Sequence, residues 1–318
     1  MSELDQPLRN LALRNGVVSL QAKEGLEYKW MLHESQSWLS RAKQKQGDDW
    51  EWSKTDAPDV SYVFDGLGFR NNKSIKEVSK DPSWWLFDSS CFGLGPGVNS
   101  ERTVPRLLEK YTDKPVYDMS IYGDRPEFIC NNILELAKRW INPPKRVILH
   151  LVENPTGTFK LTDTNKILNI DYTGYNMNPS NKDFTFFENF EEQKISEGHH
   201  RMYFKTIIKM CEVLDLNLTW LYTGLIGDIS PVNYMEDQDV IFHNCPGASV
   251  GHYNNDNNFK DRERISKETI IEPMIKCKPA DGVSVDQVGR DLFHPGPESH
   301  KVMAQKICQH FLETRRNF

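Results

Sequence analysis

Phe87-Asp88-Ser89-Ser90-Cys91-Phe92-Gly93 puts a serine directly behind a short apolar run, in a polar, glycine-rich turn that leads toward a helix. A serine so placed is held at the rim of a sheet. If its backbone N–H also points at an incoming acyl group, one residue supplies both a nucleophile and an oxyanion donor. Short Asp-Ser turns are common, so on this segment alone a turn or cap is the favoured reading. Asp291-Leu292-Phe293-His294-Pro295-Gly296 is the second chemical segment. An Asp and a His three apart on one loop can set the carboxylate on one imidazole nitrogen and leave the other free to take a serine proton. Alone, a His before Pro-Gly reads equally well as a turn residue. One segment ends the first regular strand and the other precedes the last helix. Both would meet at one edge of a sheet, and that coincidence favours acyl transfer over two unrelated turns.

Other candidates carry blander readings. Cys91 reads as a small apolar residue packed behind the turn. His199 and His200 are adjacent on a predicted helix and diverge by about 100°, so they share no face for a metal. His150 lies inside a buried strand run and reads as a core histidine, with a role near the strand end left open. Asn254 to Asp261 is rich in Asn and Asp but lacks the Gly and closing Glu of a calcium loop, so a solvated loop is expected. Trp30, Trp38, Trp50 and Trp52 fall in a short stretch. Packing onto the main body is the default for them, with stacking on sugar rings or on a partner as the alternatives.

The elements that must position these residues are legible from about residue 84 onward. Apolar runs predict five strands, at 84–88, 115–119, 146–152, 217–223 and 238–243. Helical patterns fall at 101–111, 125–140, 194–214 and 298–312, and a weaker one at about 24–45. Strands alternating with helices imply βαβ units and an α/β fold: a three-layer α/β/α sandwich around a mostly parallel five-stranded sheet. In such sheets ligands bind outside the carboxyl ends of the strands, where both chemical segments fall. Residues 1–83 read as an N-terminal extension, packed on the main body, and 84–318 as one domain interrupted by polar insertions at 155–193 and 244–286.

Composition narrows the classes. With 318 residues, the chain suits one large domain or two modest ones. It carries 39 basic and 45 acidic residues, a net charge of -6, so no overall basic field draws it to nucleic acid or an anionic membrane. No apolar run reaches transmembrane length, and charges interleave the first residues where a secretory signal would be apolar. Six scattered cysteines without a CxxC pair read as reduced thiols. A cytoplasmic protein is expected, whether free or part of a larger assembly. The mean hydropathy of -0.61 is polar for a globular chain, and the extension and insertions account for it.

Taken together, the motifs resemble the SGNH, or GDSL, hydrolase family. Its first block reads Gly-Asp-Ser-x-x-x-Gly; Asp88, Ser89 and Gly93 match, and Phe87 replaces the leading Gly. The spacing to Gly93 favours Ser89 over Ser90 as nucleophile. The last block, Asp-x-x-His-Pro, is matched by Asp291, His294 and Pro295, and Gly296, Ser299, His300 and Ala304 resemble the run into the final helix. In the second block, Tyr117 to Asp124, Gly123 corresponds to an oxyanion donor. The third, Gly-x-Asn-Asp, is degraded to Val152-Glu153-Asn154-Pro155, in which Asn154 alone matches. Gly66-Leu67-Gly68-Phe69-Arg70 is similar to a segment that precedes the first block in some members, and no function is placed on it.

The resemblance implies the flavodoxin-like SGNH hydrolase fold and a Ser89-His294-Asp291 triad with an oxyanion hole of Ser89, Gly123 and Asn154. It implies a serine esterase or acylhydrolase acting on a small acyl group, such as acetyl, on a carbohydrate or similar alcohol. No cofactor, metal, nucleic acid or membrane is implied. An acyltransferase using the same triad is the close variant. A catalytically silent binding module is the alternative that the substitutions at Phe87, Val152 and Pro155 suggest.

Overall fold

The computed structural model describes residues 25, 27–30, 34–46, 51–55, 57, 59–121, 126–151, 156–160, 167–171, 190–222, 238–242, 290 and 295–313. The strands are β1 (Glu27–Tyr28), β2 (Tyr62–Val63), β3 (Trp85–Asp88), β4 (Val116–Asp118), β5 (Arg146–Leu151), β6 (Thr156–Lys160), β7 (Ile167–Asp171), β8 (Leu218–Tyr222) and β9 (Val240–Phe242). The α-helices are α1 (Gln36–Gln46), α2 (Ile75–Val78), α3 (Val104–Thr112), α4 (Pro126–Ala137), α5 (Phe190–Val213) and α6 (Pro297–Glu313).

Five strands form one sheet in the order β4-β3-β5-β8-β9, every pairing parallel. Counted within the sheet, that is 2-1-3-4-5, the flavodoxin-like order, with its switch point between β3 and β5. These are the five predicted strands, each trimmed by one to three residues. They read so clearly because helices bury both faces and the strands are near-continuous apolar runs. Side chains alternate between two cores. Leu86, Tyr117, Met119, Val147, Leu149 and Trp220 pack with Ile129 and Ile133 of α4 and Phe204 and Ile207 of α5. Trp85, Phe87, Val116, Ile148, Leu221 and Ile241 pack with Val104 and Leu108 of α3 and Met303, Ile307 and Phe311 of α6. Each such large side chain contributes about 1.5–3 kcal/mol by leaving water. The α/β/α sandwich is therefore observed as expected.

The N-terminal region differs from its reading. The helix expected over 24–45 begins only at Gln36, and β1 precedes it, pairing antiparallel with β2. Tertiary contacts capture the chain there: Arg290 Nη2 donates to the Lys29 carbonyl (2.6 Å), and the Arg290 guanidinium lies 4.6 Å from the Trp30 ring centroid. Trp52 is buried. In the segment read as a polar insertion, β6 and β7 pair as an antiparallel hairpin. The expected loop at 254–261 lies outside the described residues. Among the described residues, no helix is long and apolar enough to cross a membrane. Cys130, Cys211 and Cys308 are free thiols, and burial pushes Cys211 up to about 12 and Cys308 to about 11.

Candidate active site

Ser89 follows the last residue of β3 and sits between the strands that lead to the second and third sequence blocks. β4 pairs on one side, with Phe87 opposite Asp118; β5 pairs on the other, with Asp88 opposite Leu149. The backbone of Ser89 is extended (φ -170°, ψ 119°), and the chain then winds into a single π-helical turn over Ser90–Leu94. Ser89 caps that turn. Its Oγ accepts the Phe92 N–H at 3.3 Å, and its carbonyl accepts Gly93 N–H at 2.7 Å and Leu94 N–H at 3.3 Å. Both Asp88 and Ser89 are wholly buried.

A buried polar chain supports this turn from the β4 side. The Ser89 N–H donates to Ser120 Oγ at 2.7 Å. The Ser120 hydroxyl in turn donates to Asp118 Oδ1, which also accepts the Ser120 N–H at 3.0 Å. The Asp118 backbone is held on both sides by one amide: Asn71 Nδ2 donates to its carbonyl (2.8 Å), and its N–H donates to Asn71 Oδ1 (3.1 Å). Asn71 Nδ2 also reaches Asp65 Oδ2 (3.4 Å), which accepts the Tyr117 hydroxyl at 2.5 Å. Burial pushes the Asp118 carboxyl up to about 6; the Ser120 donors and the charges of Arg106 and Arg70 oppose that rise. Gly93 is required by the same packing. A Cβ there would lie 2.0 Å from Ser120 Oγ and 2.5 Å from Asp118 Oδ1.

The loop beyond the turn is held from the N-terminal side. Arg70 is buried and divides its guanidinium among four carbonyls. Nη1 donates to Leu94 (2.6 Å) and Gly95 (3.0 Å), and Nη2 to Ser61 (2.7 Å) and Val98 (2.8 Å). The planar fork of arginine suits such a cluster, which a lysine point charge could not span. This gives the Gly66–Arg70 segment a role that its sequence left unassigned.

The described residues on either side of 291–294, Arg290 and Pro295 onward, lie at the same edge. The Arg290 N–H donates to the Gly97 carbonyl (2.8 Å). Pro295 and Gly296 are buried, and His300 of α6, also buried, meets the Phe92 ring edge-on at 5.2 Å. Of the residues assigned from the motifs, Ser89 is described, whereas Gly123, Asn154, Asp291 and His294 lie outside the described residues. His150 is buried on β5, and burial pushes its imidazole down to about 4, so it is neutral at pH 7. Among the described residues, no cluster of three His, Cys, Asp or Glu could hold a metal ion.

Sequence reasoning missed Asn71, Asp118, Ser120, Glu34 and Arg290 as site-supporting residues. Asp118-x-Ser120 at a strand's carboxyl end was a readable signal, since it repeats the short Asp/Ser turn chemistry of Asp88-Ser89.

No family model matches this sequence, and no curated protein matches it. Among solved structures, it is similar to one described as a lipolytic protein of the G-D-S-L family from Desulfitobacterium hafniense DCB-2. The identity is 13% and the TM-score 0.38, with 72% of this chain and 99% of that chain covered. The fold assignment rests on the strand order and helix layers described above, not on this likeness.

Proposed function

We propose that this chain is a serine esterase or acylhydrolase of the SGNH type, removing a small acyl group such as acetyl from a carbohydrate or similar alcohol. The observation that supports the reading is that residues flanking the Asp291-x-x-His294 block contact the loop after Ser89 at one sheet edge. The residue before Asp291 bonds to Gly97 in the loop after Ser89, and His300, six positions past His294, packs on Phe92, three positions past Ser89. The edge is the carboxyl end of a 2-1-3-4-5 sheet beside its switch point, where such folds bind ligands.

The chemistry then runs through named groups. His294 takes the proton from Ser89 Oγ as that oxygen attacks the ester carbonyl, and Asp291 holds the imidazole tautomer and stabilises the imidazolium. The N–H groups of Ser89 and Gly123 and the Asn154 amide receive the oxyanion. Each such donor is worth about 3–4 kcal/mol of transition-state stabilisation. Collapse expels the alcohol, protonated by His294, and leaves an acyl-Ser89. Water, deprotonated by His294, attacks that ester and releases the acid. In an acyltransferase an acceptor hydroxyl replaces the water.

One observation favours a second assignment within the same chemistry. Both the N–H and the Oγ of Ser89 are engaged inside the protein, and Ser89 is wholly buried. The neighbouring Ser90, the first residue of the π-turn, is therefore the second candidate, while the spacing to Gly93 keeps Ser89 as the assigned nucleophile. An activated acetate ester and a fluorophosphonate probe test the proposal, with Ser89→Ala and His294→Ala alongside. Turnover and labelling in the wild type, lost in both variants, are expected. A wild type that neither turns over the ester nor labels overturns the enzyme reading in favour of a silent module. Product analysis with an added alcohol separates transfer from hydrolysis.

A further inference from the structure

A closed ring of buried hydrogen bonds joins the N-terminal region to the residue that precedes Asp291. Arg290 Nε pairs with Glu34 Oε1 at 2.8 Å, with side chains 8% and 1% exposed. The other carboxylate oxygen of Glu34 accepts the Tyr62 hydroxyl at 2.7 Å. That hydroxyl accepts the Gly97 N–H at 2.8 Å, and the Gly97 carbonyl accepts the Arg290 N–H at 2.8 Å, which closes the ring. Gly97 presents both groups from a left-handed backbone (φ +74°), which glycine alone adopts readily. Arg290 also donates to the carbonyls of Lys29 (2.6 Å) and Val60 (3.3 Å).

A buried ion pair of this kind is poor evidence for stability, because an apolar pair of equal volume is often as stable. What it fixes is geometry. An arginine fork held by a carboxylate and two carbonyls has one position, and its backbone is bonded directly to Asp291. We infer that Glu34, Tyr62 and Arg290 form a latch by which the N-terminal segment sets the position of the Asp291-x-x-His294 block against the Ser89 loop. Glu34 and Arg290 are then positioning residues. This rests on the reading of Asp291 and His294 as catalytic, and it gives the N-terminal region a task in the reaction.

The test uses the full chain with Glu34→Gln, Arg290→Lys and the double apolar variant Glu34→Leu with Arg290→Met. The single variants should lower kcat by about 10²-fold with KM little changed, the scale expected of a small misplacement of catalytic groups. The double variant should melt near the wild type yet fail to recover kcat. Hydrogen exchange gives a readout independent of activity. Amides of 291–294 and 296 should exchange at least about 10-fold faster in all three variants, while those of β3 and β5 keep wild-type protection. Unchanged exchange at 291–294 and 296, or full kcat in the double variant, overturns the latch. A wild type without esterase activity sinks the enzyme reading alone, because the exchange result still decides whether the latch holds the loop.

Discussion

The backbone N–H of Ser89 donates to Ser120 Oγ at 2.7 Å, so the proposed nucleophile has its oxyanion donor already committed to an internal acceptor. For that N–H to serve an oxyanion it must exchange partners. The exchange costs about one net hydrogen bond, on the order of 1 kcal/mol. Ser120→Ala removes the competing acceptor and should raise kcat on an aryl acetate by about 3- to 5-fold. A drop of tenfold or more would mean that the Ser120 hydroxyl holds the turn in its working shape.

Gly93→Ala tests the packing behind the turn. The new methyl would meet Ser120 Oγ at 2.0 Å and Asp118 Oδ1 at 2.5 Å, and both atoms belong to a buried hydrogen-bonded pair that cannot swing aside. Overpacking of this kind costs about 1–3 kcal/mol. Urea denaturation should place the variant at the upper end of that range, whereas a midpoint equal to the wild type would show that the turn can move.

The five-stranded sheet was legible because its strands are apolar on both faces, as Trp85-Leu86-Phe87 and Val147-Ile148-Leu149 illustrate. The start of α2 carried a local signal that went unread: Ser74 and Glu77, three residues apart, form a reciprocal capping box. What the sequence concealed is non-local. No local signal says that Arg70 will serve carbonyls from Ser61 to Val98, or that Glu34 will meet Arg290. The displacement of the predicted 24–45 helix by β1 has the same origin, since the partners of that segment lie at Tyr62, Val63 and Arg290. Ser89 was assigned from the coincidence of its chemistry with a strand end, and the structure places it directly after β3.

Two buried groups should give opposite pH dependences over one window. Burial pushes the Asp118 carboxyl from 3.8 up to about 6. Its contribution to stability is therefore fully present below about pH 4 and lost as pH rises through 6. His150 is pushed from 6.5 down to about 4. Its contribution is present above pH 6.5 and lost as pH falls through 4. The two offset each other in the wild type. Asp118→Asn should lose stability on acidification from about pH 6.5 to 4 more steeply than the wild type, by up to about 3 kcal/mol, and His150→Gln less steeply. Urea melts across that range check both signs. Variants that parallel the wild type would contradict the assignment.

The central claim is that acyl transfer passes through the oxygen of Ser89 at the carboxyl end of β3. Its most direct test is to treat the protein with a fluorophosphonate, digest it and locate any added mass within Asp88 to Gly93 by tandem mass spectrometry. The account predicts a single adduct on Ser89, formed slowly or not at all in His294→Ala. An adduct on Ser90 or Cys91, or labelling that survives Ser89→Ala, would contradict it.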